Sequence, residues 1–267
     1  MCRYIFLISC FLFSYHVGKS AKVTRTVAAN GQGVDIRGCG VEGYDKCNTT
    51  QFAIFESSDG DEIILLKGVH TCDTNITTDV LGRSDGGIRF VHRDGTTAIS
   101  GIFIHGAINT SSDDIIYDCK HLQRAFAFMS EKEGMGTTLS GFSIYNGSAY
   151  AGGGVHTQSS VGGGGAVYIK SSAQPTFNHV IWIRNEAQSG GGGVYISDSD
   201  TNPTFNNCTF QENKAPNSQH GGGAVYIVLS AQPTFNHVIW IRNEAQGYGG
   251  GVLIAGIDTN PTFNQHG

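Results

Sequence analysis

The sequence predicts an all-β fold, a right-handed parallel β-helix solenoid with about 28–30 residues per coil. Three observations predict it: a long repeat, prolines at a regular spacing, and short β-type segments bounded by glycine. Residues 173–188 read AQPTFNHVIWIRNEAQ and recur unchanged at 231–246. Four of the five prolines lie at a regular spacing of 28, 30 and 28 residues, at Pro175, Pro203, Pro233 and Pro261. Such a unit is too short to bury its own apolar face, so neighbouring units must stack.

The short apolar segments have the pattern of strands. Apolar residues alternate, as in Val167 and Ile169, and glycine or proline bounds each run. The glycine runs exclude a helical solenoid, because each glycine costs about 1 kcal/mol inside a helix. A β-propeller blade needs about 40 or more residues and four strands. We therefore expect three short strands and three turns in each coil.

Stacking places equivalent residues of successive coils about 4.8 Å apart. Asparagine suits the turns between strands, because it tolerates the left-handed backbone conformation and hydrogen-bonds to its neighbours in a stack. We expect two aliphatic columns, two aromatic columns and two asparagine columns: Val167, Val194, Val225 and Val252; Ile169, Ile196, Ile227 and Ile254; Phe177, Phe205, Phe235 and Phe263; Trp182, Phe210 and Trp240; Asn178, Asn206, Asn236 and Asn264; Asn185, Asn213 and Asn243.

A tyrosine column is the predicted binding site. Tyr168, Tyr195 and Tyr226 lie between the inward Val and Ile positions, so strand alternation turns them outward, together with Leu253. An exposed aromatic stripe is uncommon without a use. Three interpretations remain open: the rings stack on sugars, pack on a partner protein, or lie under a turn.

The chain is expected to have three parts. Residues 1–20 are predicted to be a secretory signal peptide, because Arg3 precedes an apolar run of about 12 residues, shorter than the ~20 that span a bilayer. Residues 21–50 form an N-terminal leader and cap. Residues 51–267 form the β-helix, with about seven or eight coils that become regular from about residue 139. Its C-terminal end has no polar cap, which predicts either that the chain is a fragment or that the open end associates end to end.

Export makes disulfide bonds and glycosylation possible. Cys39 and Cys47 enclose a short polar loop and are the best candidate pair, whereas pairing of Cys72 with Cys119 stays open. Cys208 is placed inside the repeat as a small apolar residue. Sequons in polar segments predict glycosylation at Asn48, Asn75 and Asn109. Two further sequons, at Asn146 and Asn207, fall within the repeat pattern, where burial can block modification.

Composition excludes several classes of partner. Charged residues make up 15% of the chain and the net charge is −5, so no basic surface for nucleic acid is expected. The sequence contains no paired Cys-x-x-Cys motif and no histidine cluster, so no metal site is predicted. No cofactor and no transmembrane segment are expected either.

The motifs predict no catalytic residue, and the only candidates for catalysis are Asp113, Asp114 and Asp118. A glycosidase needs two carboxylates about 5–9.5 Å apart on one sugar. Asp114 and Asp118 are an even number of residues apart on a predicted strand, so both side chains are expected to point outward on the same face. Ser84 in the segment GRSDG lacks the strand, turn and helix that a nucleophile elbow requires.

Two motifs carry a resemblance to known families. The pairing of Gly-Gly-Ala, at 164–166 and 222–224, with Phe-x-x-Asn, at 210–213, resembles the repeat of polymorphic outer membrane proteins. Residues 182–185 give a variant with tryptophan in place of phenylalanine. Residues 59–71 resemble the start of pectin-lyase-like β-helices. The resemblance implies a β-helix and an adhesive role.

The sequence favours a secreted or cell-surface protein with a non-catalytic surface that binds glycans or proteins. The alternative is a polysaccharide lyase or glycoside hydrolase of the pectin-lyase-like fold. A third hypothesis is an inert scaffold produced by duplication, because the repeated 16-residue segments are identical.

Overall fold

The computed structural model describes residues 21–72, 87–149, 164–216 and 221–265. The predicted signal peptide, the Asn75 sequon and Ser84 lie outside these residues. Nearly all described elements are short strands, and they pair in parallel within four sheets. The predicted parallel β-helix is confirmed.

The first half of the β-helix is irregular. Thr24–Val27 opens the array as a strand of the leader and pairs with the next strand, and two short helices interrupt the coils. The elements are β1 (Thr24–Val27), α1 (Thr50–Phe55), β2 (Glu62–Leu65), β3 (Gly68–Thr71), β4 (Ile88–Arg89), β5 (Phe103–Gly106), β6 (Ile115–Asp118), β7 (Phe126–Phe128), α2 (Glu131–Gly134), β8 (Thr138–Ser140), β9 (Ser143–Tyr145) and β10 (Ser148–Ala149).

The second half is regular, and each coil has four strands rather than the three that the sequence predicts. The additional strand has only two residues, so it shows no alternation from which it could be predicted. The elements are β11 (Val167–Ile169), β12 (Thr176–Asn178), β13 (Ile181–Ile183), β14 (Glu186–Ala187), β15 (Val194–Ile196), β16 (Thr204–Asn206), β17 (Thr209–Gln211), β18 (Lys214–Ala215), β19 (Val225–Ile227), β20 (Thr234–Asn236), β21 (Ile239–Ile241), β22 (Glu244–Ala245), β23 (Val252–Ile254) and β24 (Thr262–Asn264).

The four sheets run along the solenoid, and a regular coil contributes one strand to each in turn. The first sheet has eight strands, the second and fourth have six, and the third has four. The first contains β1, β2, β5, β8, β12, β16, β20 and β24; the second β3, β6, β9, β13, β17 and β21; the third β10, β14, β18 and β22; the fourth β4, β7, β11, β15, β19 and β23.

The strand register confirms the interior columns. The Val and Ile columns pair in order through β11, β15, β19 and β23. In the phenylalanine column, the ring centroids of Phe177 and Phe205, Phe205 and Phe235, and Phe235 and Phe263 are 5.0, 4.9 and 5.0 Å apart. Trp182 lies 4.4 Å from Phe210, which lies 4.8 Å from Trp240. These aromatic stacks fill the core, where burial of large apolar surface stabilises the fold.

The asparagine columns form hydrogen-bonded ladders. In the buried one, Asn185 Nδ2 donates to Asn213 Oδ1, and Asn213 Nδ2 donates to Asn243 Oδ1, both at 2.9 Å. The left-handed backbone lies beside the asparagines, not on them: His179 has a φ of 54° and Arg184 a φ of 53°. The expectation that asparagine itself takes this conformation is therefore wrong for Asn178 and Asn185.

The glycine runs allow turns to stack with backbone against backbone. A Cβ on Gly192 would lie 2.4 Å from the carbonyl oxygens of Gly223 and Lys214. Gly191 in the same turn has a φ of 65°, in the left-handed region that glycine adopts without strain. Any side chain at these positions would push successive coils apart.

Helix α1 lies at one end of the core. Thr49 caps it, since its Oγ1 accepts a hydrogen bond from Phe52 N at 3.2 Å. The sequence predicts that Phe52 and Phe55 close the core. Phe52 is half-buried and packs against the core as predicted, and Phe55 is half-buried too, whereas Ala53 and Ile54 are fully buried. The single helical turn directs its small aliphatic side to the core.

Candidate functional site

The tyrosine column does not form an exposed stripe. Tyr195 is 3% and Tyr226 7% exposed, and only Tyr168 is half-buried. The expectation of exposure is therefore wrong for Tyr195 and Tyr226. The rings do stack: Tyr168 and Tyr195 have centroids 5.2 Å apart, and Tyr226 meets Tyr195 edge-on at 5.5 Å. Their predicted binding role stays a prediction.

A glycine turn explains the burial of the column. A Cβ on Gly190 would lie 2.9 Å from Tyr226 Cδ1, so this turn packs directly on the ring. Of the three interpretations, packing under a turn agrees best with this contact. Desolvation, followed by the neighbouring Tyr168 and Tyr226, raises the pKa of Tyr195 above its ordinary value. The Tyr195 hydroxyl therefore stays protonated at neutral pH.

The candidate aspartates stabilise turns and form an ion pair. Asp114 Oδ1 lies 2.6 Å from Lys67 Nζ, and its Oδ2 accepts from Ser111 N at 2.9 Å. Asp118 Oδ1 accepts from Lys120 N and from Asn146 Nδ2, each at 3.0 Å. These contacts use the carboxylates for structure.

Asp113 is exposed beside this group. The ion pair with Lys67, then the hydrogen bonds from Ser111, lower the pKa of Asp114 to about 2. Asp114 is thus ionised at neutral pH and cannot supply a proton to a leaving group there.

The depressed pKa of Asp114 can be tested directly. Replacing Lys67 with methionine should raise the pKa of Asp114 from about 2 toward its ordinary value of 3.8, because the largest stabilising partner of the carboxylate is lost. NMR titration of the side-chain carboxyl carbon measures the change. As a control, Lys170→Met should leave this titration unchanged. An unaltered titration in Lys67→Met would contradict the assigned ion pair.

The sequence analysis missed a second repeated surface, which we call the threonine–asparagine face. It lies on the outer side of the first sheet, where the phenylalanine column points inward between two half-buried or exposed polar columns. The motif Pro-Thr-Phe-Asn, which occurs four times, is the signal that could have revealed it. Its two columns are Thr138, Thr176, Thr204, Thr234 and Thr262, and Ser140, Asn178, Asn206, Asn236 and Asn264.

The polar groups of this face are regularly arranged. Asn206 Nδ2 donates to Asn178 Oδ1 at 2.8 Å, and Asn236 Nδ2 donates to Asn206 Oδ1 at 2.7 Å, which fixes the amides in one orientation. Among the described residues, the hydroxyls of Thr176, Thr204 and Thr234 have no hydrogen-bond partner. The face therefore offers donors and acceptors in register.

The cysteines and sequons have defined surroundings. Disulfide bonds join Cys39 to Cys47 and Cys72 to Cys119, so the second pair left open by the sequence is formed as well. Cys208 is buried with a free thiol, as expected for an apolar position. Asn109 is exposed and Asn48 half-buried. Asn207 is exposed too, so burial does not block its modification.

The last described coil presents apolar side chains. Ile254 and Phe263 are each 44% exposed, whereas their partners in the preceding coil, Ile227 and Phe235, are fully buried. The exposure follows from the lack of a described coil above them. End-to-end association at this position stays a prediction.

Across residues 21–72, 87–149, 164–216 and 221–265, no group of three or more His, Cys, Asp or Glu side chains is arranged to hold a metal ion. No helix among these residues is long and apolar enough to cross a membrane.

Comparison with known protein families, with curated proteins and with solved structures finds no match to this chain. The parallel β-helix is established by the strand pairing itself. The closer resemblance to pectin-lyase-like proteins and to polymorphic outer membrane protein repeats depends on the sequence motifs alone.

Proposed function

We propose that this chain is a secreted or cell-surface protein whose threonine–asparagine face binds a linear glycan without catalysis. The observation that carries the proposal is the pair of polar columns on the first sheet, with unpartnered threonine hydroxyls beside a hydrogen-bonded amide ladder. The motif resemblance to adhesive repeat proteins supports the same class of function.

The spacing of the face suits a repetitive polar ligand. Successive rungs lie about 4.8 Å apart, and the two columns about 6.6 Å apart along each strand. A glycan chain lying along the solenoid would meet the same hydroxyl and amide at every rung. Weak contacts repeated in this way add up to useful affinity, because each one raises the effective concentration for the next.

The chemistry of the face favours a glycan over an apolar protein surface. Threonine hydroxyls and asparagine amides both donate and accept hydrogen bonds, as sugar hydroxyls do. The two columns of the regular coils contain no charged residue. The two disulfide bonds agree with an oxidising compartment, which supports the proposed secretion.

Removing the hydroxyls of the face should weaken glycan binding. The triple variant Thr176→Val, Thr204→Val, Thr234→Val keeps β-branched side chains of similar shape but loses three adjacent donors. We expect at least about a tenfold loss of affinity, as one or two net hydrogen bonds would give. A glycan array, followed by pull-down on the insoluble polysaccharides it identifies, measures the loss.

Thr209→Val provides a matched control, since Thr209 is half-buried on the outer side of the second sheet, and it is compared with Asn207→Gln because both variants remove the Asn207 sequon. It should bind as the wild type does. Binding that survives in the triple variant, or that is found only for proteins, would refute the proposed face. Release of reducing sugars or unsaturated uronates would instead favour the lyase or hydrolase alternative.

A further inference from the structure

A basic cleft lies at the N-terminal end of the solenoid, apart from the threonine–asparagine face. It has a volume of about 420 Å³ and is formed by three segments: the leader at Arg37, the end of α1 with the residues after it, and the segment that carries His92 and Arg93. Its size falls within the range of small-molecule sites. Phe55, Ser57 and Ser58 complete the lining.

Arg93 is held in a fixed position in this cleft. Its Nη2 lies 2.8 Å from Glu56 Oε1, and its guanidinium lies 4.8 Å from the centroid of the Phe52 ring. Glu56 is held as well, because its Oε2 accepts from Gly38 N at 3.1 Å. The remaining N–H groups of the Arg93 guanidinium have no partner among the described residues.

The cleft carries more positive than negative charge. Arg37 is exposed and makes no ion pair or hydrogen bond with any described residue, so Glu56 is the single carboxylate beside two lining arginines. Arg25 lies behind the wall, where it donates to the carbonyl oxygens of Glu56 and Cys39. This third guanidinium is 8% exposed and adds positive charge next to the site.

We propose that this cleft binds a small sugar that carries a carboxylate or sulfate group. Arg37 and Arg93 are placed to hold the anion, because guanidinium groups match the planar, two-oxygen edge of such groups. The exposed Ser58 hydroxyl supplies a hydrogen bond, whereas the Ser57 hydroxyl is buried and donates to Ala53 O. Phe55 supplies an apolar surface for the sugar ring. The site shares no residue with the threonine–asparagine face and is independent of the function proposed for it.

Titration of the full chain with glucuronate and with glucose 6-sulfate tests the site, with glucose as the uncharged probe and inorganic sulfate as the bare anion. Isothermal calorimetry or NMR shift mapping gives the affinities. At least one charged sugar should bind about tenfold more tightly than glucose, as a charge-assisted contact would give. The charged sugar that binds more tightly identifies the anion source.

Arg37→Gln and Arg93→Gln should each weaken charged-sugar binding about tenfold. Arg37→Gln removes no ion pair or hydrogen bond with a described residue, so its effect on binding reports the site rather than the stability of the fold. Arg242→Gln is the control: its side chain is 81% exposed on the regular coils, and its loss should change nothing.

Three results would overturn this proposal. The first is glucose or inorganic sulfate that matches the charged sugars in affinity, which would remove the need for a charged-sugar site. The second is unchanged binding in both arginine variants. The third is loss of charged-sugar binding in the triple threonine variant, which would place that ligand on the other face. Unchanged binding in this variant supports the cleft, whatever the outcome for the face itself.

Discussion

Replacing Phe205 with alanine is expected to lower the free energy of unfolding by about 3–5 kcal/mol. Phe205 is fully buried in the middle of the aromatic column, with Phe177 and Phe235 stacked at 5.0 and 4.9 Å and Trp182 edge-on at 5.6 Å. Alanine removes these contacts and leaves a cavity that the rigid rungs cannot close. Equilibrium unfolding in urea measures the change.

Phe263 offers a matched control, because it occupies the equivalent position but is 44% exposed. It stacks on Phe235 alone, at 5.0 Å. Phe263→Ala should therefore cost only about 1 kcal/mol. Equal losses for the two variants would contradict the assignment of Phe205 to a closed interior stack.

Asn213→Ala should be nearly as destabilising, with an expected decrease of about 2–5 kcal/mol in the free energy of unfolding. Asn213 is completely buried. Its Nδ2 donates to Trp182 O at 3.1 Å, and its Oδ1 accepts from both the backbone N–H and the side-chain amide of Asn185, at 3.1 and 2.9 Å. Alanine leaves these buried groups without partners, and an unsatisfied buried group costs about 1–3 kcal/mol.

The surface ladder supplies the comparison for this variant. Asn206 makes the same side-chain contacts with its neighbours in the column, but it is half-buried and water can replace them. Asn206→Ala should cost less than about 1 kcal/mol. Thermal unfolding of the two variants side by side separates a structural ladder from a surface one, and a smaller effect at Asn213 would argue against its role in the core.

The interior columns were predictable because the period of 28 or 30 residues determines which residues stack. Once Phe177 and Phe205 occupy equivalent places in a parallel coil, their contact follows from the rung spacing alone. The same reasoning yields the Val, Ile and Trp columns. Local alternation and repeat length are both visible in one sequence.

Other features depend on contacts that the repeat does not encode. The burial of Tyr226 comes from a neighbouring turn at Gly190, so strand alternation alone misassigns this ring to the surface. The basic cleft joins Arg37, Glu56 and Arg93, which come from the non-repeating part of the chain. The threonine–asparagine face was visible in principle in the repeated Thr-Phe-Asn motif, from which only the asparagine column was predicted.

The central claim is that consecutive coils stack as rungs in one register, and a cysteine pair tests it most directly. Thr204 and Thr234 are partners in adjacent rungs on the outer face, so Thr204→Cys with Thr234→Cys places two thiols at rung spacing, within disulfide reach of about 4.4–6.8 Å between Cα atoms. Under mild oxidation, mass spectrometry should detect this bond. The pair Thr176→Cys with Thr234→Cys, two rungs apart, should stay reduced. A bond in the second pair, or none in the first, would contradict the stacked register.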